Sequence, residues 1–502
     1  MFFLKMMSWF LRRQPALFAR LNDPASLLGH FVKGGGVLAA ASMVDNVLRF
    51  ARNIILARLL APDAFGIYAL MASAMAVAEA IGEMGLREVV VQSKRGRDHE
   101  FLNVIWWLSA VRGMVIYTCL FVTSYPLAHY YFHDQPGAVV VMQVGFLASL
   151  INGFASPQLH ALQKDFAFGK WVLLIQSSGA LGVLVAVTVG CFTHSIWALV
   201  AGLLTEATAK CLLSYGFLPF RPVWNVCRDH KAEVFRYTKG IFGLPILMVI
   251  MIHTDTFVIG KLMSTTVLGA YYLAKELADL PNKVLNRVIS PLLLPDFSAQ
   301  QDQLARIRKQ VLQATELIMT LGLPYATFCG CLGDHCLRLL YGEMTSSMWA
   351  PFGIFSVVVL LQVLSLVVMN VFLALGTPQT QRLAAIARTI VLVVLIYPLC
   401  RFYGAKGATL AALASMVTAL AVQLYSAQRI FGLNPWEQMK AWFMGLKLSC
   451  VVLVVSLGVR WLGMGTLGSL LVGGFVCAAA CGVGVLQHPM LQGVRDRIWR
   501  RA

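Results

Sequence analysis

Eleven charged side chains interrupt long apolar runs of this sequence: Asp45, Arg49, Arg52, Glu79, Glu83, Arg112, Asp255, Lys275, Asp279, Lys283 and Arg287. Facing lipid at the bilayer centre, each would cost about 2.5–3.5 kcal/mol. Three on one span would then cost on the order of 8–10 kcal/mol, which rivals the stability of a typical protein. The cations have the chemistry to hold an anion, since arginine presents a planar fork to paired oxygens and lysine a point charge. The carboxylates Asp45, Glu79, Glu83, Asp255 and Asp279 can take a proton or a sodium ion, whose charge lets a loaded cavity reorient. The competing structural reading is mutual neutralisation, because Asp45–Arg49 and Asp279–Lys283 are spaced i,i+4.

The positioning elements are helices. At 100° per residue, Asp45, Arg49 and Arg52 fall within an arc of about 60°, with Ser42 beside them and Val47, Phe50 and Ile54 facing away. Lys275, Asp279, Asn282, Lys283, Asn286, Arg287 and Ser290 make a second, broader stripe opposite Leu277, Val284 and Val288. Glu79 and Glu83 are one turn apart, and His253 and Asp255 follow the kink-prone Pro245. Such faces must turn toward protein or water.

Of 502 residues, 58% are hydrophobic and only 13% charged, with a mean hydropathy of +0.72. A soluble domain averages about 25% charged residues. Apolar stretches long enough to cross a hydrocarbon core of about 30 Å recur throughout. They predict about fourteen spans, near 33–59, 64–86, 102–124, 137–157, 171–190, 194–217, 239–261, 266–296, 311–333, 350–376, 382–400, 406–428, 440–460 and 467–487. The chain reads as an all-α polytopic membrane protein. The net charge of +18 follows alternate loops, which by the positive-inside rule predicts both termini in the cytoplasm and contact with anionic lipid, and argues against nucleic acid.

The remaining signals are structural. The segment 1–32 reads as an interfacial amphipathic helix rather than a signal peptide. The eleven cysteines lack metal-ligand spacing and read as small apolar fillers, so no metal or cofactor is expected. Glu206 and Lys210 read as an interfacial pair, Trp106–Trp107 as packing or an aromatic belt. Glu316, Arg388 and Lys447 carry no assignment.

The stretch IILARLLAPDAFGIYALMA at 54–72 has a degraded copy, VIGKLMSTTVLGAYYLA, at 258–274. Arg58 falls on Lys261, Gly66 on Gly269 and Tyr68 on Tyr271, at a constant offset of 203 residues (261 − 58, 269 − 66, 271 − 68). The same offset carries Arg52 onto Asp255. Six predicted spans separate the copies, so both have one membrane orientation. Parallel repeats of this kind build two lobes around an axis normal to the membrane. The division expected is an N-terminal segment 1–32, a lobe of six spans at 33–217, a linker 218–238, a second six-span lobe at 239–430, and two further spans with a basic tail at 431–502. The hairpin itself is expected to close a lobe, with Pro62 and Asp63 favouring a helix start, Arg58 and Lys261 favouring helix ends, and glycines permitting close approach.

The run IILARLLAPDAFGIYALMASAMAVAEAIGEMGLREVVVQ resembles the signature of the bacterial polysaccharide transporter family, the Wzx-type flippases of lipid-linked oligosaccharides. Arg58, Leu60, Pro62, Phe65, Gly66, Tyr68, Glu83, Gly85, Leu86 and Gln92 occupy the motif positions, and LGAYYLAKELADLPNKVLNRVISPLLLPDFS is similar to the family's second half. The resemblance covers roughly residues 33–430. It implies that undecaprenyl-diphosphate-linked oligosaccharide crosses the bacterial inner membrane through a central cavity. Arg49, Arg52, Arg112, Lys275, Lys283 and Arg287 would then grip the diphosphate. Asp45, Glu79, Glu83, Asp255 and Asp279 would couple a proton or sodium ion by antiport. A polysaccharide polymerase and a chain-length regulator are implied partners. The alternatives are a multidrug cation antiporter of the same superfamily and a membrane glycosyltransferase or polymerase. No phosphate loop, nucleophile–base constellation or sizeable external loop is legible, so no catalysis is expected.

Overall fold

The computed structural model describes residues 27–82, 85–132, 135, 137–165, 167–223 and 244–487; within them, the side chains of 27–42, 168, 244–246, 287–292, 295 and 486 are excluded. The expected N-terminal interfacial helix, Glu83, most of the 218–238 linker and the basic tail lie outside the described residues. Every regular element among the described residues is helical. The first half contains α1 (Leu27–Leu59), α2 (Pro62–Ile81), α3 (Leu86–Gln92), α4 (His99–Tyr131), α5 (Ala138–Gly153), α6 (Gln158–Lys164), α7 (Phe168–Thr193) and α8 (Trp197–Gly216). The second contains α9 (Leu244–Leu262), α10 (Thr265–Ser298), α11 (Leu304–Tyr341), α12 (Glu343–Ser346), α13 (Trp349–Ala374), α14 (Pro378–Tyr403) and α15 (Ala405–Phe431). α16 (Pro435–Trp461) and α17 (Thr466–Gln487) follow.

Ten of the described helices are long and apolar enough to cross a membrane, or eleven if α5 and α6, bent by 57°, count as one broken span. α1, α9 and α10 are not among the ten. Each of the three lies partly outside the described side chains, at 27–42, 244–246 and 287–292, so the fourteen expected crossings are met only in part among the described residues.

Local chemistry sets the hairpins. α1 ends with Arg58 in its last turn, where a cation complements the negative end of the helix. α2 opens on Pro62, whose missing N–H is not needed there, with Asp63 in the positive first turn. The second copy ends α9 on Lys261 and opens α10 at Thr265.

Within each half, small residues bring backbones together. Gly182 and Gly202 join α7 to α8, Gly113 and Gly153 join α4 to α5, and Gly330 and Gly353 join α11 to α13. α16 and α17 pack on α11.

Among the described residues, the two halves share cores at one end, the end that carries the α1–α2 and α9–α10 turns. There, Leu56, Leu60 and Phe65 share a core with Leu273, Leu277, Leu337 and Phe355. Leu70, Met71, Phe132 and Phe146 share another with Ile259, Leu268, Tyr271 and Ile396. At the opposite end the cores separate: Leu86, Val89, Phe101 and Phe220 belong to the first half alone, Phe297, Ile307, Phe372 and Phe431 to the second.

The hairpin glycines lie in this seam. A Cβ on Gly269 would overlap the Pro62 carbonyl and sit 2.8 Å from the Gly66 nitrogen, and one on Gly66 would overlap the Thr265 backbone. The hairpin also joins the two halves, because each copy lacks a side chain at the point where it meets the other.

Candidate functional site

Below the seam, ionisable side chains from both halves form four groups. With 1.5 Å of rise per residue, Arg52 and Arg49 lie about 9 and 14 Å along α1 from Arg58, and Lys275 about 15 Å into α10.

The first group links α1 to α8. Arg49 donates from Nε to Asp45 Oδ1 at 3.0 Å and grips Glu206 with both terminal nitrogens, Nη1 to Oε2 at 3.1 Å and Nη2 to Oε1 at 2.6 Å. Gly179 on α7 makes room, since a Cβ there would lie 3.3 Å from Asp45 Oδ1 and 3.4 Å from Arg49 Nη2. One cation thus faces two carboxylates. These side chains remain partly accessible, Arg49 at 35% and Glu206 at 30%, as groups lining a polar cavity would be.

The second group is more enclosed, with side-chain exposure of 19% for Lys275 and 8% for Asp255. Lys275 Nζ reaches Asp255 Oδ2 at 2.7 Å and Oδ1 at 2.9 Å, and the Ile252 carbonyl at 2.8 Å. Tyr271 donates to Asp255 Oδ2 at 2.8 Å. Asp255 is buried and its charge is fully compensated. The third group lies further along α10. Lys283 bonds Glu276 at 2.7 Å and stands 3.7 Å from Asp279. Asn282 bridges Asp279 at 3.0 Å to Gln362 of α13 at 3.1 Å.

The fourth group lies in the first half. Glu79 accepts from Ser149 at 3.1 Å, and Lys210 donates to Asn152 at 3.2 Å. Glu79, Glu206 and Arg112 all act electrostatically on Lys210. The expected Glu206–Lys210 pair is therefore not formed; Arg49 takes the carboxylate because a guanidinium can engage both oxygens at once.

Arg52 stands apart. It is buried, at 7% exposure, and among the described residues its Nε and Nη2 donate to Asn53 Oδ1, at 3.3 and 3.0 Å. Among the described residues no carboxylate lies within ion-pairing distance of it. Arg287 lies on α10 with its side chain outside the description.

The structure thus brings Asp45 to Arg49, Asp255 to Lys275, and Asp279 to Lys283. Glu276 and Gln362 were not assigned roles from sequence, Glu206 was read only as the partner of Lys210, and Tyr271 only as the repeat equivalent of Tyr68. A carboxylate inside apolar α8 was the available signal for Glu206. Glu276 stands in the α10 run between Lys275 and Asp279. Cysteines are free, and no cluster of potential metal ligands occurs among the described residues.

A family model described as polysaccharide biosynthesis protein matches residues 55–352. The succinoglycan biosynthesis transport protein ExoT of Rhizobium meliloti (strain 1021) is 23% identical over 61% of this chain and 62% of its own length. The lipopolysaccharide biosynthesis protein WzxC of Escherichia coli (strain K12) is 21% identical over 67% of this chain and 68% of its own. Among solved structures, the lipid II flippase MurJ in an inward closed conformation superposes with a TM-score of 0.70 at 11% identity, covering 89% of this chain and 98% of that one. That likeness establishes a shared transporter fold.

Proposed function

We propose, from the premise that the chain belongs to the family of polysaccharide biosynthesis proteins, that it flips polyprenyl-diphosphate-linked oligosaccharide repeat units across the bacterial inner membrane. Movement runs from the inner to the outer leaflet, by alternating access and without a catalytic step. The termini and the open end of the cavity face the cytoplasm, in accord with the positive-inside distribution of basic loops, and the hairpin end faces outward. The observation that carries this reading is the joining of two bundles at one end, with ionisable groups from both beneath the join.

Within the cavity the cations divide by their partners. Arg52, which no carboxylate among the described residues holds, is the primary grip for the diphosphate, whose oxygens match a guanidinium fork. Arg112 and Lys210, on α4 and α8 of the first half, extend the positive field, and Arg287 of α10 is a further candidate by sequence position alone. Arg49, Lys275 and Lys283 each hold a carboxylate and enter the grip only by exchanging it. The carboxylates so released, Asp45 and Glu206 above all, are the sites for a coupling proton or sodium ion. Arg52→Ala should abolish complementation of a flippase-deleted host and leave lipid-linked repeat units on the inner leaflet, with membrane levels unchanged. Normal surface polysaccharide in that variant would remove Arg52 from the grip.

A cation antiporter is the second reading. The Arg49–Asp45–Glu206 and Lys283–Glu276–Asp279 groups each carry one excess negative charge, which suits an organic cation. Resistance to cationic dyes on expression, with no effect on polysaccharide, would favour it.

A further inference from the structure

Two cations at the hairpin end reach across to the opposite bundle. Arg58, in the last turn of α1, donates from Nε to the Leu340 carbonyl at 3.3 Å and from Nη2 to the Arg338 carbonyl at 3.3 Å. Nη2 also donates to the Leu339 carbonyl. These carbonyls lie in the last turn of α11, where helix carbonyls lack N–H donors from a following turn, although Arg338 O also accepts from the Gly342 N–H at 3.1 Å. Lys261, in the last turn of α9, donates to the Tyr130 carbonyl at 3.4 Å and sits 3.3 Å above the Tyr130 ring. Tyr130 lies in the last turn of α4.

The two arrangements are copies. Arg58 and Lys261 are separated by the repeat offset of 203 residues (261 − 58), and each caps the third long helix of the other half. A cation at a helix C-terminus is favoured by the helix dipole, and here the two helices involved belong to different bundles. Both cations are exposed at the rim, so water can replace their acceptors when the bundles part.

We propose that Arg58 and Lys261 form a duplicated latch that holds the outer gate shut and must break for cargo to leave. The idea rests on the outward orientation of the hairpin end given above. It assigns the repeated Arg/Lys a gating task separate from cargo binding.

The test uses the full-length chain with its native cysteines replaced and Ser73→Cys as reporter. Ser73 lies about 17 Å into α2, is buried, and bonds His253 across the seam at 2.9 Å. Labelling by a membrane-impermeant maleimide added from the periplasmic face is timed in parent, Arg58→Ala, Lys261→Ala and the double variant. Each lost cation should speed labelling by on the order of tenfold, the scale of a charge-assisted hydrogen bond. The double variant should be fastest, and Arg58→Lys should lie near the parent. Unchanged labelling in variants that insert and keep parental helix content overturns the latch. Acceleration only from the cytoplasmic face supports the latch and overturns the orientation.

Discussion

Arg49 and Glu206 should be energetically coupled by about 2 kcal/mol. Two charge-assisted hydrogen bonds, at 3.1 and 2.6 Å, join them. Each such bond contributes about 1.5–3 kcal/mol in isolation, so the gross term is about 3–6 kcal/mol. Three effects reduce it. The side chains are 35% and 30% exposed, so the surroundings screen them. Asp45 keeps partial hold of Arg49 at 3.0 Å when Glu206 is gone. A chain unfolded within the membrane also finds other partners, which holds measured hydrogen-bond couplings in membranes to about 0.6–1.7 kcal/mol. A double-mutant cycle with Arg49→Ala and Glu206→Ala, read from detergent unfolding of the purified protein, measures the remainder. The singles should be unequal. Arg49→Ala leaves Asp45 and Glu206 facing one another and should cost about 3 kcal/mol, whereas Glu206→Ala leaves a pair intact and should cost about half that. Additivity within about 0.5 kcal/mol would refute the bidentate contact, because independent sites behave that way. Transport separates the roles: if Glu206 serves the coupling ion, Glu206→Gln loses gradient-driven transport while the fold survives.

The Lys275–Asp255 pair beneath the seam predicts a rescue. Lys275→Met leaves the Asp255 carboxylate buried and uncompensated and should cost about 3–5 kcal/mol, and adding Asp255→Asn should restore more than half; equal unfolding midpoints for single and double variants would exclude the coupling. The close approach of the hairpins predicts opposite signs for two glycine substitutions. Gly269→Ala must push α10 from the Pro62 carbonyl and should destabilise by about 1–3 kcal/mol. Gly458→Ala, with no atom within 4 Å, should stabilise by up to about 1 kcal/mol through helix propensity. Thermal unfolding in nanodiscs reads both, and a shared sign would count against the tight seam.

The helical fold and its doubling were legible because they are written in short-range terms. Apolar length marks crossings, Pro62 and Asp63 mark a helix start, and a fixed offset marks the repeat. The pairs Asp45–Arg49 and Asp279–Lys283 were legible as alternatives because i,i+4 spacing places side chains on one face whatever lies opposite. Glu206 was not, because its partner is 157 residues away and a local neighbour, Lys210, offered the same spacing rule. Asp255 and Lys275 lie on adjacent helices 20 residues apart, and no periodicity within one helix can pair residues across a turn. Sequence spacing counts the charges on a face. Which of them remain uncommitted depends on the facing helix, and so Arg52 emerges as distinct from Lys275 only in three dimensions.

The placement of the hairpin follows from symmetry once the repeat is granted. Two parallel copies related by an axis normal to the membrane hold equivalent residues at equal depth on opposite sides of that axis. Equivalent residues touch only where both lie on the axis itself. Gly66 and Gly269 are equivalent and do touch, to the point that neither has room for a methyl group. The axis must therefore pass between them, and the cavity along it must be closed at their level. A motif of small residues, apolar packing and one cation per copy is what such a closure needs, since cargo-binding charge there would keep it wet. The charged groups accordingly begin a turn or two deeper, with Arg52 and Lys275, and the repeated signature is a structural join above them.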